Sequence, residues 1–106
     1  MKVSVSQFKS APEVATNLAT VTAHIAQAAG QGARVVAFPE ASMVAFESDR
    51  DALRAHAEQS FATFADGVAK AAAQHGVDVF IGTYAPSVEE RSSNVFVHIN
   101  ARGELV

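Results

Sequence analysis

The segment Arg34-Val35-Val36-Ala37-Phe38-Pro39-Glu40 is an apolar run that stops on a proline and then presents a carboxylate. A carboxylate that is only partly solvated has its pKa raised towards neutrality, the condition for accepting a proton as a general base. Apolar neighbours follow it (Ala41, Met43, Val44, Ala45 and Phe46), so Glu40 is expected to be partly shielded from water. An acid after a strand is more often a loop residue or a helix cap than a catalytic group, and the residue types alone do not separate these roles. Tyr84 follows another apolar run, Val77-Asp78-Val79-Phe80-Ile81-Gly82, and its hydroxyl could reach a small-molecule pocket near a strand end. Other reactive residue types suggest less. His24, His56, His75 and His98 have no paired ligand spacing, so no metal is expected. Cysteine is absent, which excludes disulfides and thiolate chemistry from within these residues. Gly30-Gln31-Gly32 follows a helical pattern and lacks a third glycine, so it reads as a helix stop and not as a phosphate-binding turn. Glu89-Glu90-Arg91 reads as a solvated loop.

These groups must be placed by elements that alternate along the chain. Residues 2–8 alternate apolar and polar and read as a first strand. Ser10-Ala11-Pro12-Glu13 has the spacing of a capping box. Val14, Leu18, Val21, Ile25 and Ala28 then recur every three or four residues, one face of a helix that Gly30 and Gly32 end. The run at 35–38, bounded by Gly32 and Pro39, reads as a central strand covered on both faces, with pairing ended by the proline. Glu40 is thereby put at the carboxyl end of an interior strand, where α/β proteins place their ligands. After a loop at 42–49, Leu53, Ala57, Phe61, Phe64, Val68 and Ala72 share a helical face, with a possible break near Gln59-Ser60. Residues 77–82 form a third strand, 84–91 a loop and 94–99 a fourth strand. Asn100 to Gly103 then form a turn, and Glu104-Leu105-Val106 opens a further strand. Strand–helix–strand–helix–strand–strand order implies crossover connections and an α/β sheet with helices packed on it.

Composition sets the outer bounds. The 106 residues amount to at most one domain, and 49% of them are hydrophobic, enough for a core. The net charge is −3 and the basic residues are scattered, so nucleic acid is not an expected partner. No long apolar run exists, so neither a signal peptide nor a membrane span is expected, and the cytoplasm is the default location.

Taken together, these residues resemble the amino-terminal part of the nitrilase, or carbon–nitrogen hydrolase, superfamily. The resemblance rests on the opening strand ending in Gln7-Phe8, on Asn17-Leu18, and on Gly32-Ala33-Arg34-Val35-Val36-Ala37-Phe38-Pro39-Glu40. It continues through His75-Gly76-Val77, Val79-Phe80-Ile81-Gly82-Thr83, Asn94 and Gly103-Glu104-Leu105-Val106. It implies an α-β-β-α sandwich, of which residues 1–106 would be the amino-terminal part of a single domain. It also implies hydrolysis of carbon–nitrogen bonds in small amides, carbamoyl compounds or nitriles by a Glu-Lys-Cys triad, with no metal or organic cofactor. By the motif Glu40 would be the general base, with Pro39 and Asn94 structural beside the site and Tyr84 a candidate substrate contact. Members usually assemble by packing sandwiches together, so a homo-oligomer acting on a small molecule is expected. The chain departs from the pattern in one respect. It has no cysteine, and its lysines (Lys2, Lys9 and Lys70) all precede the Gly-Glu-Leu-Val turn after which the family's lysine and cysteine fall. The chain is therefore expected to end before both and to be inactive alone; the alternative is a non-catalytic α/β binding or assembly module.

Overall fold

The computed structural model describes residues 1–40, 42–45, 50–86 and 93–106. The chain runs β1 (Lys2–Val5), α1 (Val14–Gly30), β2 (Ala33–Ala37), α2 (Arg50–His75), β3 (Asp78–Ala85) and β4 (Ser93–Ile99).

Helix α1 forms because its apolar residues recur on one face; Val21 and Ile25 are fully buried there, with Ala28 nearly so. Its start differs from the expected capping box. Glu13 is the N-cap residue, in extended conformation and without a side-chain cap bond. The reason lies one turn inside the helix. Asn17 Oδ1 accepts from the Ala11 amide at 2.7 Å, and Asn17 Nδ2 donates to the Ala11 carbonyl at 2.8 Å. With both backbone groups of Ala11 held by that side chain, the residues before Val14 stay outside the helix. At the other end the Gly32 amide bonds the Ala29 carbonyl at 3.0 Å, and its φ of +90° turns the chain into β2.

Helix α2 runs unbroken from Arg50 to His75, so the break considered at Gln59-Ser60 does not occur. Leu53, Ala57, Phe64, Val68 and Ala72 bury a continuous stripe, while Gln59 lies exposed on the other side. Packing along the stripe overrides weak local propensity. Gly67 sits where α1 crosses: a Cβ there would lie 2.6 Å from Leu18 Cδ2. The glycine costs helix propensity, about 1 kcal/mol, and allows the two helices to approach.

The four strands form one sheet in the order β1-β2-β3-β4, with the first two pairings parallel and the third antiparallel. Right-handed crossovers that step in one direction along a sheet leave their helices on the same face. That face holds the core, where Val36, Phe38, Val79, Ile81 and Ile99 meet the buried stripes of α1 and α2. Among the described residues, β2 is thus covered by helices on that face only, where the sequence suggested cover on both. On the other, Val35, Ala37 and Phe80 are half-buried, and Val3, Val5 and Phe96 are exposed. Beyond β4, Gly103 adopts a φ of +80° and its amide bonds the Asn100 carbonyl; Leu105 then bridges back to Ile99. The turn is the one read from the sequence, and of the further strand expected at 104–106 a single isolated bridge forms. The described residues thus form one sheet with one helical layer packed on it.

Candidate functional site

Strand β2 ends at Ala37, and its ladder continues by one bond, from the Phe38 amide to the Phe80 carbonyl at 2.8 Å. Pro39 has no amide to contribute, so the chain leaves the sheet and turns at Glu40. The turn is then fastened to β3 again. The Ser42 amide donates to the Gly82 carbonyl at 3.0 Å, and Ser42 Oγ donates to the Pro39 carbonyl at 2.6 Å. From beneath, Asn17 Nδ2 donates to the Met43 carbonyl at 2.8 Å, and the Ala45 amide donates to the Ala11 carbonyl at 3.0 Å. Asn17 is 1% exposed and Ser42 is fully buried, so these bonds form out of competition with water. The backbone on either side of Glu40 is held; the carboxylate is not. No hydrogen bond or ion pair among the described residues engages it.

Glu40 is exposed, which corrects the expectation of partial shielding. Of the apolar residues after it, Ala41 and Phe46 lie outside the described residues. Met43 and Val44 are fully buried in the core and hold the turn while Glu40 points outward.

Tyr84 lies within β3, one residue before its end, and not in a loop as its position in the sequence suggested. It is 6% exposed. Burial pushes its hydroxyl pKa above the ordinary tyrosine value of 10.0, and the negative charge of Glu40 raises it further. The two side chains are therefore electrostatic neighbours. Asn94 stands directly across from Tyr84 in the β3–β4 register. Pro39, Glu40, Tyr84 and Asn94 thus meet at one end of the sheet, although they come from three segments of the chain. Thr83 Oγ1 is buried with no partner among the described residues, but Thr83 shares the helix-covered face of Val79 and Ile81 and stands apart from this group.

The other reactive side chains are committed elsewhere. Lys2 Nζ donates to the Gln31 carbonyl at 2.8 Å, at the amino end of β2 and opposite to Glu40; Lys70 lies exposed on α2. Ser6 Oγ is hydrogen-bonded to His24 Nδ1 on the helix-covered face, where Phe38 stacks on the imidazole. A cavity of about 230 Å³ opens beside that pair, and one of about 350 Å³ lies between α2 and the final turn; neither is lined by Glu40 or Tyr84. Among the described residues the site is a ledge at the sheet's end, with Glu40 exposed beside the buried Tyr84. The structural parts that sequence reasoning missed are Ser42, Gly82 and the bonds of Asn17. One signal was available: Asn17 falls three residues after Val14 and four before Val21, a polar group on an apolar face.

Comparison with known proteins agrees with this arrangement. Residues 2–106 match the family profile described as Carbon-nitrogen hydrolase. A protein of Mycobacterium tuberculosis named Hydrolase Rv0480c is 32% identical over 97 residues, which cover 92% of this chain and 34% of the relative. The chain thus spans about a third of the length of the curated relatives it matches. Among solved structures, the C. elegans NitFhit protein superposes with a TM-score of 0.88 at 15% identity, covering 97% of this chain and 26% of that one. An amidase from Nesterenkonia sp. superposes with a TM-score of 0.84 at 21% identity, covering all of this chain and 40% of that one. These likenesses show the fold, and the profile match over nearly every residue shows the family: the chain belongs to the carbon–nitrogen hydrolases and has the nitrilase-like fold of their amino-terminal part.

Proposed function

We propose that this chain is the amino-terminal part of an amidase-type carbon–nitrogen hydrolase domain and that Glu40 is its general base. One observation carries the reading. At the carboxyl end of a central strand, Glu40 has a backbone fixed on both sides and a carboxylate that no described residue engages. A proton acceptor needs that combination of fixed origin and free head group.

In the reaction the resemblance implies, the carboxylate takes the proton of a cysteine thiol, and the thiolate attacks the carbonyl carbon of the substrate. A lysine ammonium stabilises the oxyanion of the tetrahedral intermediate. The carbon–nitrogen bond breaks, and the leaving nitrogen carries away the proton, relayed from Glu40. Water then gives a proton to Glu40 and attacks the thioester, which releases the acid and restores the thiol. Neither cysteine nor a suitably placed lysine occurs among these residues, so the chain alone is proposed to be inactive. Tyr84, buried beside Glu40, is proposed to contact the substrate, and Pro39 and Asn94 to shape the ledge around it.

A small amide is the favoured substrate class. In support, one solved form of the Nesterenkonia amidase, with a glutamate and a cysteine replaced, is a complex with acrylamide. The working form is proposed to be a homo-oligomer. The test uses a chain carrying this segment at the full length of its relatives, assayed with small aliphatic amides. Glu40→Gln should lower turnover by about 10²–10⁴-fold while sparing the fold; turnover at the unsubstituted rate would overturn the assignment.

A second reading is favoured by the exposed apolar residues Val3, Val5 and Phe96 on the open sheet face. They would suit a non-catalytic assembly module. A full-length protein that binds amides but releases no ammonia would favour that reading.

A further inference from the structure

We propose that Gly82 and Ser42 are positioning residues for Glu40, Gly82 by the side chain it lacks and Ser42 by the two bonds it makes. The catalytic meaning of this rests on the reading of Glu40 as the base; the contact itself does not.

The glycines differ in what a side chain would meet. At Gly30, Gly32 and Gly76 an added Cβ would enter open space. At Gly67 it would meet the flexible end of Leu18. At Gly82 it would lie 2.6 Å from Glu40 Cα, 2.9 Å from the Pro39 carbonyl oxygen and 3.1 Å from the Glu40 nitrogen. All three are backbone atoms, so no change of rotamer relieves the overlap. Backbone freedom is not the requirement, because Gly82 is not among the glycines with positive φ. Its requirement is space, and the occupant of that space is the backbone of the candidate base.

The clamp is closed from both directions. The Phe38 amide to the Phe80 carbonyl and the Ser42 amide to the Gly82 carbonyl draw the turn down onto β3. The Ser42 hydroxyl on the Pro39 carbonyl fixes its curvature. An alanine at position 82 has to push Pro39 and Glu40 off the strand against these bonds. With no partner among the described residues to hold the carboxylate, the displacement passes directly to the proposed reactive oxygens.

The test uses a convenience of this chain, which has one tyrosine and no tryptophan. Tyrosinate absorbance therefore titrates Tyr84 alone, and Glu40 is one of the two causes that raise its midpoint. The 106-residue chain is titrated as wild type, Glu40→Gln, Gly82→Ala and the double variant, with a matching pair for Ser42→Ala. Glu40→Gln should lower the Tyr84 midpoint in the wild-type background. That lowering should shrink markedly in the Gly82→Ala background and shrink less with Ser42→Ala. If Gly82→Ala fails to unfold cooperatively, the Ser42→Ala pair decides. A Glu40-dependent difference that is unchanged in whichever variants fold overturns the proposal.

At the full length of the relatives, Gly82→Ala should lower kcat by about 10²-fold, as a misplacement of about 1 Å does, with KM nearly unchanged. The titration requires no turnover. A shrunken titration difference in an enzyme indifferent to Glu40→Gln would reject the base and keep the clamp. The opposite pattern would reject the clamp and keep the base.

Discussion

Two carboxylates mark opposite ends of the same sheet, and they are held in opposite ways. Asp78 opens β3. Its Oδ2 lies 2.8 Å from His98 Nε2 and its Oδ1 accepts the Ala101 amide at 3.0 Å, while the His98 ring stacks on Phe80 with centroids 4.2 Å apart. Both oxygens are used in joining β3 to β4 and to the turn that follows. Glu40 has a held backbone and no described partner at its carboxylate. Asp78 is the more shielded of the two, so burial alone would select Asp78 and not the proposed base. On the proposed reading, what separates a structural carboxylate from a reactive one is whether its oxygens are already committed.

The contrast can be broken from either side. The largest effect is expected at Glu40: in the full-length protein Glu40→Gln should lower turnover by about 10²–10⁴-fold and leave the urea midpoint where it was. Gly82→Ala should come next, through kcat. Asn17→Ala should be the most damaging to stability, by about 2–3 kcal/mol in urea unfolding, because it orphans the Ala11 amide and the Met43 carbonyl and leaves the Ala11 carbonyl with the Ala45 amide alone. Asp78→Asn should cost about 1 kcal/mol, given the partial exposure of the His98 pair, and should leave the turnover of the folded fraction unchanged. A loss of turnover at Asp78 matching that at Glu40 would erase the distinction.

The smallest effect concerns pH. Tyr84 has its pKa raised in the fold, by burial first and by Glu40 second, so the folded state retains a proton that the unfolded chain has released. Its stabilising contribution is complete below the ordinary value of 10.0 and declines as pH rises from there through the folded value. Urea midpoints measured between about pH 9 and pH 11 should therefore fall, and Glu40→Gln should make the fall shallower.

Local pattern made much of this legible. The apolar run before Pro39 specified β2 and its end, and the three-and-four spacing specified α1. It put Glu40 at a strand end and Tyr84 near another, which the fold brings to the same ledge. The failures have a common physical origin. The capping box competed with bonds from Asn17, one of which reaches a carbonyl 26 residues away. The break in α2 was overridden by tertiary packing along its buried stripe. Apolar neighbours implied a shielded Glu40, yet Met43 and Val44 serve the core and leave the acid outside. Coverage of β2 on both faces could not be judged before the crossovers were known to share a face. Gly82 carried no signal at all, because its requirement arises only when a distant turn lies on it.

The crossing of α1 and α2 at Leu18 and Gly67 has an evolutionary consequence. The flexible end of the leucine fills the notch that the glycine leaves, so a side chain at position 67 requires Leu18 to shift or to shrink. Among relatives that keep the crossing, a bulkier residue on the second helix should be inherited together with a smaller one on the first. The lineage should cross between such pairs by way of the smaller combination, since a transient cavity is repairable and a backbone forced apart displaces everything the helices support.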